Sequence, residues 1–263
     1  MSRYFGRYSS YHLQSVMRLY RHNEKLSILQ DLEDEIESCL SIQDEAENPV
    51  TFVPSGIERE DLIMIKGAAL HDESSTEWAL CVENEETKTK VYRYTLGRSR
   101  PELETALLMT TDIPLHPKEV FDHFNDTPKL TKWDSQMAEC YLVDNYRGYE
   151  LYYSRIKFPF PFADRGFLTR KFTQSDVEND FYVIVMTSEG TEEYKYEPKT
   201  SVQMAHAYIA AIIIQAINCN GEQHTRLKML NQSDLKGSIP SYLLDVVAPK
   251  VTLAYCDDVR RGL

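Results

Sequence analysis

The chain contains 263 residues, and 42% of them are hydrophobic, so it can bury a large core and is not expected to be disordered. Its 29 basic and 41 acidic side chains give a formal net charge of -12, which argues against general nucleic-acid binding, because such proteins neutralise phosphates with Lys and Arg. The longest apolar run, residues 208–217, is too short for a transmembrane helix, which needs about 20 residues. We therefore expect a globular protein that touches membranes without spanning them.

The cysteines predict neither a disulfide framework nor a zinc site, because their number is odd, they are widely spaced, and no CxxC pair occurs. This pattern is typical of a reducing compartment and favours a cytoplasmic protein in peripheral contact with membranes. No cofactor is predicted. The five residues are Cys39, Cys81, Cys140, Cys219 and Cys256.

Residues 1–56 are predicted to form a helical leader before the main domain. Apolar residues recur at helical spacing through residues 11–40, and this helix is a candidate surface for a protein partner. The first 23 residues contain four arginines and no acidic residue, which is also the composition of organelle transit peptides, so targeting is a second interpretation. A stretch rich in Pro and polar residues at 47–56 marks the boundary, and the second domain is predicted to cover residues 57–263.

After this boundary, a short helix around residues 61–70 precedes three strands, a second short helix and six further strands. The helix at residues 116–126 has Pro117 near its start and Val120 and Phe124 on one face. Turn residues such as Arg147 and Gly148 separate the strands. The predicted strands are residues 77–82, 88–96, 103–111, 137–145, 149–157, 166–173, 182–188, 202–216 and 225–231.

The chain ends in a long apolar helix. Ser238 is a candidate cap, Pro240 suits an early helical position, and apolar residues continue to Val259. Pro249 lies inside this segment and is expected to break or kink it. A strand-rich middle followed by a long helix predicts an α+β fold, in which a curved antiparallel sheet wraps around the terminal helix.

The sequence lacks the common motifs of enzymes. Seven histidines are present, but none lies in an HExxH pattern, and no GxSxG, P-loop or GxGxxG motif occurs. We therefore predict that the protein is not an enzyme and has no catalytic residue and no metal site. An enzyme whose acid and base groups converge from distant strands is an alternative.

The most informative segment is KFPFPFADRGFLTRKF at residues 157–172. Phe158, Phe160 and Phe162 alternate with prolines, which lack the N–H donor of a sheet ladder, so we expect a loop that displays aromatic rings. Two interpretations follow. The rings either cover a sheet edge or form an apolar rim that inserts into the surface of a bilayer.

Three segments together resemble the START domain family. The phenylalanine–proline loop with Arg165 resembles the family's aromatic loop and Arg-Asp-aromatic element. TKWD at residues 131–134 resembles its tryptophan-aspartate element, and LKGSIPSYLLDVV at residues 235–247 resembles the entry into its terminal helix. The segments occur in the family's order, and the resemblance covers residues 57–260. It implies a helix-grip fold, in which the sheet and the terminal helix enclose a tunnel for one lipid while the helix and adjacent loops act as a gate.

The resemblance implies a carrier that binds a single lipid, a phospholipid ahead of a sterol, and transfers it between membranes through transient contact. At about 0.8 kcal/mol per methylene, extracting a two-chain lipid gives up about 20 kcal/mol or more of apolar burial, so the tunnel must be apolar. Lys171 stands where the family has a cavity-facing basic residue and is the predicted polar anchor. The predicted cavity residues are Trp133, Glu150, Tyr152, Lys171, Val183, Val185, Ala207, Ile209, Ile213, Leu243 and Val247. The predicted gate and membrane-contact residues are Phe158, Phe160, Phe162, Leu235 and Ile239.

The sequence departs from the family pattern at two places. Gly166 stands where the family usually has an aspartate, so Arg165 lacks its usual partner and Asp164 is the alternative. No arginine occurs in the strand at residues 103–111 to meet a phosphate. The class of lipid therefore does not carry over from the family.

Charged residues on the predicted strands leave further alternatives open. Glu150, Arg155 and Asp112 are either cavity groups or solvated outer-face charges, because one sequence does not fix the strand register. Trp133, Tyr152 and Tyr208 suit stacking on a choline or a sterol, although core packing is the simpler role for Trp133. An enzyme would use Glu150 or Asp112 with a tyrosine as acid and base. A third hypothesis is a lipid-sensing interaction module that uses the leader helix.

Overall fold

The computed structural model describes most of the chain after the predicted boundary. The predicted leader, its helix and the boundary itself lie outside the described residues, and so does part of the predicted helix around residues 61–70. The described residues are 64–65, 67–69, 71, 76–95, 106–158, 160–198, 202–237 and 239–263.

Ten strands form one sheet within the described residues. Each predicted strand overlaps an observed one, and the predicted strand at 202–216 is divided into a short β8 and a long β9. The strands are β1 (Trp78–Asn84), β2 (Thr89–Tyr94), β3 (Leu107–Ile113), β4 (Met137–Tyr146), β5 (Tyr149–Ile156), β6 (Arg165–Asp176), β7 (Phe181–Thr187), β8 (Gln203–Met204), β9 (His206–Cys219) and β10 (Glu222–Asp234).

The sheet has the order β1-β2-β3-β10-β9-β7-β6-β5-β4, and neighbours in this order are antiparallel. β8 adds a short parallel pairing with β6. The tight turn between β4 and β5 contains Gly148 with φ of +100°, a conformation that glycine adopts at little cost. The predicted α+β fold with a curved antiparallel sheet and a terminal helix is therefore confirmed.

Helices α1 (Pro117–Asn125), α2 (Leu130–Trp133) and α3 (Ser241–Gly262) accompany the sheet, and a 3-10 turn at Thr127–Lys129 joins α1 to α2. At the start of α1, the His116 imidazole accepts a hydrogen bond of 3.2 Å from the backbone N–H of Lys118. Residues 64–65 and 67–69 are also helical. No helix within the described residues combines the length and the apolar character that crossing a membrane requires.

Different elements cover the two faces of the sheet, because side chains alternate between the faces along each strand. On the face that we call the helix-side face, Ile184 of β7 and Ile212 of β9 pack with Cys256 of α3. On the opposite face, which we call the outer face, Ile213 packs in a cluster with Ile65, Ala68 and Ala69 from the helical residues 64–65 and 67–69. Two apolar clusters therefore enclose the middle of the sheet.

The carboxyl-terminal half of α3 is firmly anchored. Cys256 and Val259 are buried there. Asp258 accepts hydrogen bonds from the backbone N–H of Ser135 at 3.0 Å and from its hydroxyl at 2.5 Å. Burial alone would raise the pKa of Asp258, but the Ser135 hydrogen bonds and the Arg261 charge outweigh it and lower that pKa. These contacts fix the end of the helix to the segment between α2 and β4.

The amino-terminal half of α3 is much more exposed. The side chains of Val246, Val247 and Val251 are 57%, 41% and 40% exposed. Pro249 lies inside the helix, which continues from Ser241 to Gly262, so the predicted break at this proline does not occur. The helix therefore consists of an exposed first half and an anchored second half.

Candidate functional site

The helix-side face keeps accessible apolar surface over the middle of the sheet. Met186 of β7 lies directly opposite Ala210 of β9, and both remain partly exposed although their strands are central. Their outer-face neighbours Val185 and Ala211 are each only 1% exposed. Strand alternation therefore indicates open space on the helix side of the sheet. We call this surface the recess. It is formed by Met186 and Ala210 together with Lys171, Glu150, Tyr152 and Leu142 of strands β4–β6.

Strands β5 and β6 give the recess a charged end. Lys171 of β6 pairs in register with Glu150 of β5 and with Met186, which places all three on the helix-side face. The Lys171 ammonium lies 3.5 Å from a Glu150 carboxylate oxygen. It donates hydrogen bonds to the Asn125 carbonyl at 2.7 Å and to the Thr127 hydroxyl at 2.8 Å. Lys171 is only 2% exposed, and these acceptors offset the cost of burying its charge.

An aromatic ring and an accessible leucine continue the recess toward β4. The Tyr152 ring centre lies 5.4 Å from the Lys171 ammonium nitrogen. Leu142 of β4 is opposite Tyr152 in register and is 42% exposed. The predicted cavity residues Glu150, Tyr152 and Lys171 are therefore brought together at one end of the recess.

Burial dominates the ionisation of this charged end. It lowers the pKa of Lys171, and the Glu150 carboxylate opposes that change. Burial and Glu150 together raise the pKa of Tyr152 to about 12. Burial also raises the pKa of the Cys140 thiol to about 12, while Lys171 acts in the opposite direction. At neutral pH Tyr152 and Cys140 keep their protons, which suits hydrogen bonding better than acid–base or nucleophilic catalysis.

The two carboxylates of the enzyme alternative lie far apart in the architecture. Asp112 points to the outer face, where Arg226 donates two hydrogen bonds to it at 2.8 and 3.0 Å. Glu150 lies at the recess on the other face. Of the two carboxylates, Glu150 is therefore the one that lies beside a tyrosine on the same face, because it helps to raise the pKa of Tyr152.

Part of the predicted apolar lining lies on the outer face of the sheet, away from the recess. Four predicted cavity residues belong to the outer-face cluster that the helical residues 64–65 and 67–69 cover, namely Val183, Val185, Ile209 and Ile213. Shifting a strand by one residue moves every side chain to the other face, and β9 is apolar on both faces through residues 209–214, so its sequence does not distinguish them. The residues of β7 and β9 on the helix-side face are Tyr182, Ile184, Met186, Ala210, Ile212 and Ile214.

Three further predicted cavity residues have other surroundings. Ala207 is buried at the start of β9, where its N–H donates to the Ser188 hydroxyl at 3.1 Å and its carbonyl accepts from the Ser188 N–H at 2.7 Å. Val247 lies on the exposed first half of α3. The side chain of Leu243 lies outside the described residues, so its predicted role is untested.

Trp133 packs the helices together. Its ring lies 4.6 Å from His123, 5.7 Å from Phe124 and 5.9 Å from Tyr255, measured between ring centres. A Cβ on Gly262 would lie only 2.7 Å from the Trp133 ring, so the end of α3 fits closely against it. Trp133 therefore packs α3 against α1 and α2.

The phenylalanine–proline loop displays one fully exposed ring. Phe160 is 96% exposed, whereas Phe158 and Phe162 are partly buried. The Phe158 ring lies over the Arg165 guanidinium, 4.8 Å from ring centre to carbon. The loop therefore presents a single apolar tip on a packed base.

Arg165 joins the two loops that are predicted to form the gate. It is 3% exposed, and it donates hydrogen bonds to the Leu235 carbonyl at 2.6 Å, to the Lys236 carbonyl at 3.2 Å and to the Ala163 carbonyl. Leu235 and Ile239 are both partly buried. The family-like arginine was the only sequence signal for this connection, because its acceptors are backbone groups about 70 residues away in the chain.

The departure at Gly166 has a packing reason. A Cβ at this position would lie 2.8 Å from the Met204 sulfur and 3.1 Å from the Tyr153 hydroxyl oxygen, so a larger residue does not fit unless these side chains move. Asp164, the suggested partner of Arg165, is instead 2.5 Å from the guanidinium of Arg155. Among the contacts of the described residues, backbone carbonyls hold Arg165, and Asp164 does not.

Comparisons with known proteins agree with this architecture. A family model described as START domain matches residues 63–263. Human STARD10 is similar in structure, with a TM-score of 0.65 and 16% identity over 82% of each chain. Human StAR-related lipid transfer protein 5 has a TM-score of 0.64 and 13% identity over 77% of this chain and 91% of that chain.

A third similar structure is the human StarD13 (DLC2) lipid transfer and protein localization domain, with a TM-score of 0.60 and 16% identity over 79% of this chain and 98% of that chain. Among curated protein sequences, none matches this chain. The structural similarities concern the fold, and the family model adds a match over most of the sequence. This chain belongs to the START domain family.

Proposed function

We propose that this chain binds one lipid in the recess and transfers it between membranes without covalent chemistry. A phospholipid is the preferred cargo, ahead of a sterol. The recess between the sheet and α3 replaces the bilayer for the acyl chains, and the charged end at Lys171 receives the headgroup.

The observation that carries the proposal is an accessible apolar surface with one charged end. Met186, Ala210 and Leu142 supply the apolar part, and Lys171 with Glu150 supplies the charged part. An acyl chain recovers about 0.8 kcal/mol for each methylene that is kept away from water, so such a surface can offset extraction from a membrane. This amphipathic layout matches the shape of a lipid.

Family membership supports the same function. Two of the similar human structures carry lipid transfer in their names, StAR-related lipid transfer protein 5 and the StarD13 lipid transfer and protein localization domain. Identities of 13% to 16% leave the cargo open, so its choice must come from this chain's own residues.

The pairing of opposite charges supports a phospholipid. Lys171 and Glu150 are 3.5 Å apart, and a zwitterionic headgroup complements such a pair better than the single hydroxyl of a sterol does. The Tyr152 hydroxyl keeps its proton, because its pKa is raised to about 12, and it can donate to a phosphate oxygen in exchange for its hydrogen bond with Glu150.

The surface supports transient contact with a membrane. Phe160 is 96% exposed on a loop that Arg165 connects to the loop at residues 235–237, so both loops can approach a bilayer together. The described cysteines Cys81, Cys140, Cys219 and Cys256 are free thiols, which supports a cytoplasmic location. The leader at residues 1–56 is proposed to bind a protein partner.

Transfer between vesicles tests the proposal. Donor vesicles contain a self-quenched fluorescent phosphatidylcholine or a fluorescent sterol, and dequenching on mixing with acceptor vesicles is followed with and without the full chain. We expect a protein-dependent rate for the phospholipid that exceeds the rate for the sterol. No protein-dependent transfer of either lipid by a folded chain would overturn the proposal, and faster sterol transfer would overturn the cargo preference.

A further inference from the structure

Pro249 removes one hydrogen bond from the middle of α3. A helical carbonyl normally accepts a hydrogen bond from the N–H four residues later, and proline has no N–H. The carbonyl without a helical donor is that of Asp245, four residues before Pro249. An unsatisfied backbone carbonyl is a weak point in a helix, and its partner must come from elsewhere.

Arg93 of β2 supplies the missing donor. Its guanidinium donates a hydrogen bond of 2.7 Å to the Asp245 backbone carbonyl. A second guanidinium nitrogen lies 3.2 Å from the Asp245 carboxylate. One side chain of the sheet therefore holds both the backbone and the side chain of a single residue in the first half of α3, a fork geometry that arginine offers and lysine does not.

Among the described contacts, the contact between Arg93 and Asp245 is the main polar attachment of the first half of α3. In the second half, Asp258 accepts a hydrogen bond from the Ser135 N–H. Arg260 donates hydrogen bonds to the Thr87 carbonyl at 2.7 Å and to the Asp112 carbonyl at 2.8 Å. The first half instead exposes valines. The Arg93 and Asp245 side chains are themselves 26% and 51% exposed, so water and salt can reach the contact.

We propose that Arg93 is a latch, a positioning residue that holds the first half of α3 against β2, and that its release lets residues 241–248 swing at Pro249 while residues 256–262 stay in place. Opening this half uncovers the helix-side face and sets the rate at which a ligand enters and leaves the recess. The effect on ligand exchange rests on the proposed lipid-binding function, whereas the latch itself does not.

An ordinary surface ion pair would behave differently. Such a pair contributes little to stability and does not depend on whether residue 249 is proline. The latch does depend on it, because alanine at position 249 restores the helical N–H donor to the Asp245 carbonyl. The two substitutions Arg93→Ala and Pro249→Ala must therefore be coupled if the latch exists.

Amide hydrogen exchange measures this coupling without any lipid. The full chain, Arg93→Ala, Pro249→Ala and the double variant are compared over residues 245–248, with residues 256–259 as the internal reference. We expect Arg93→Ala to speed exchange at residues 245–248 about three- to tenfold and to leave the reference unchanged. In the Pro249→Ala background, the same substitution should change exchange less than about twofold. An equal change in both backgrounds, or no change in either, overturns the latch.

Release of a fluorescent phosphatidylcholine from the same four variants tests the functional part. We expect Arg93→Ala to raise the release rate about as much as it raises exchange, with lipid stoichiometry unchanged, and Arg93→Lys to restore part of the slow release. If the exchange pattern holds but release from Arg93→Ala equals that of the unmodified chain, the gating role is wrong. If no variant binds lipid while the exchange coupling holds, the proposed function fails and the latch stands.

Discussion

A pair of substitutions on opposite faces of the sheet tests which face holds the ligand. Met186→Trp adds bulk to the accessible helix-side surface, next to Ala210 and Lys171. Ile213→Val removes one methylene from a side chain that is 0% exposed on the outer face. The first change should block the recess, and the second should affect only stability.

The structure gives the size of each effect. Ile213→Val should lower the free energy of unfolding by about 0.5–1.5 kcal/mol, because both the methylene and its packing are lost. At about 2–4 °C for each kcal/mol, the melting temperature should fall by about 1–6 °C. Met186 is already partly exposed, so the change in stability on Met186→Trp should stay below about 1.5 kcal/mol while bound lipid falls at least severalfold.

The assay combines thermal unfolding with the molar ratio of lipid to protein after incubation with phosphatidylcholine vesicles. Ile213→Val should melt earlier and still bind lipid at the ratio of the unmodified chain. If Ile213→Val loses lipid while Met186→Trp binds it normally, the ligand lies on the outer face and the assignment of the recess is refuted.

Three further substitutions address the loop and the charged end. Phe160→Asp should slow vesicle transfer severalfold and change the free energy of unfolding by less than about 0.5 kcal/mol, because the ring is already in solvent. The control Val177→Asp, at another exposed apolar site, should leave the transfer rate unchanged. Equal slowing by both substitutions would refute a specific membrane role for the loop. Lys171→Met should lower the free energy of unfolding, measured with urea, by about 1–3 kcal/mol, because the Asn125 carbonyl and the Thr127 hydroxyl lose their buried donor. An unchanged free energy of unfolding would contradict these hydrogen bonds. Tyr152→Phe tests how the stability of the folded chain depends on pH in the alkaline range. The pKa of Tyr152 is about 12 in the folded chain, against an ordinary value of 10.0 for tyrosine, so its contribution to stability is complete below pH 10 and is lost as the pH rises through 12. The variant should therefore lose less stability than the unmodified chain between pH 10 and about 12, measured by urea unfolding, and identical pH dependences would contradict the raised pKa.

The strands and their order along the chain were predictable, because turn residues and local alternation carry that information. The segment predicted at residues 149–157 is β5, Tyr149–Ile156, and Gly148 forms the turn before it. The faces of the central strands were not predictable. Both faces of β9 are apolar, since α1 and α3 contribute to the cluster on one face and the helical residues 64–65 and 67–69 to the cluster on the other. Only the register with β7 and β10 decides between the faces.

The charged end of the recess could be predicted from the sequence. The hydrogen bonds that connect distant segments of the chain could not. Lys171 stood out as a basic residue at a family-like position, and register places Glu150 beside it. Arg165 and Arg93 act through backbone carbonyls at Leu235 and Asp245, which every residue type offers, so no side-chain pattern announces these contacts. Such contacts become visible only when the fold brings the segments together.

The most direct measurement is the native mass spectrum of the chain after incubation with vesicles that contain phosphatidylcholine and cholesterol. We expect a complex with one phospholipid per chain, which the Met186→Trp variant does not form. A folded chain that is detected only at its own mass, or one that takes up several lipids without dependence on Met186, would contradict the claim that the recess holds a single lipid.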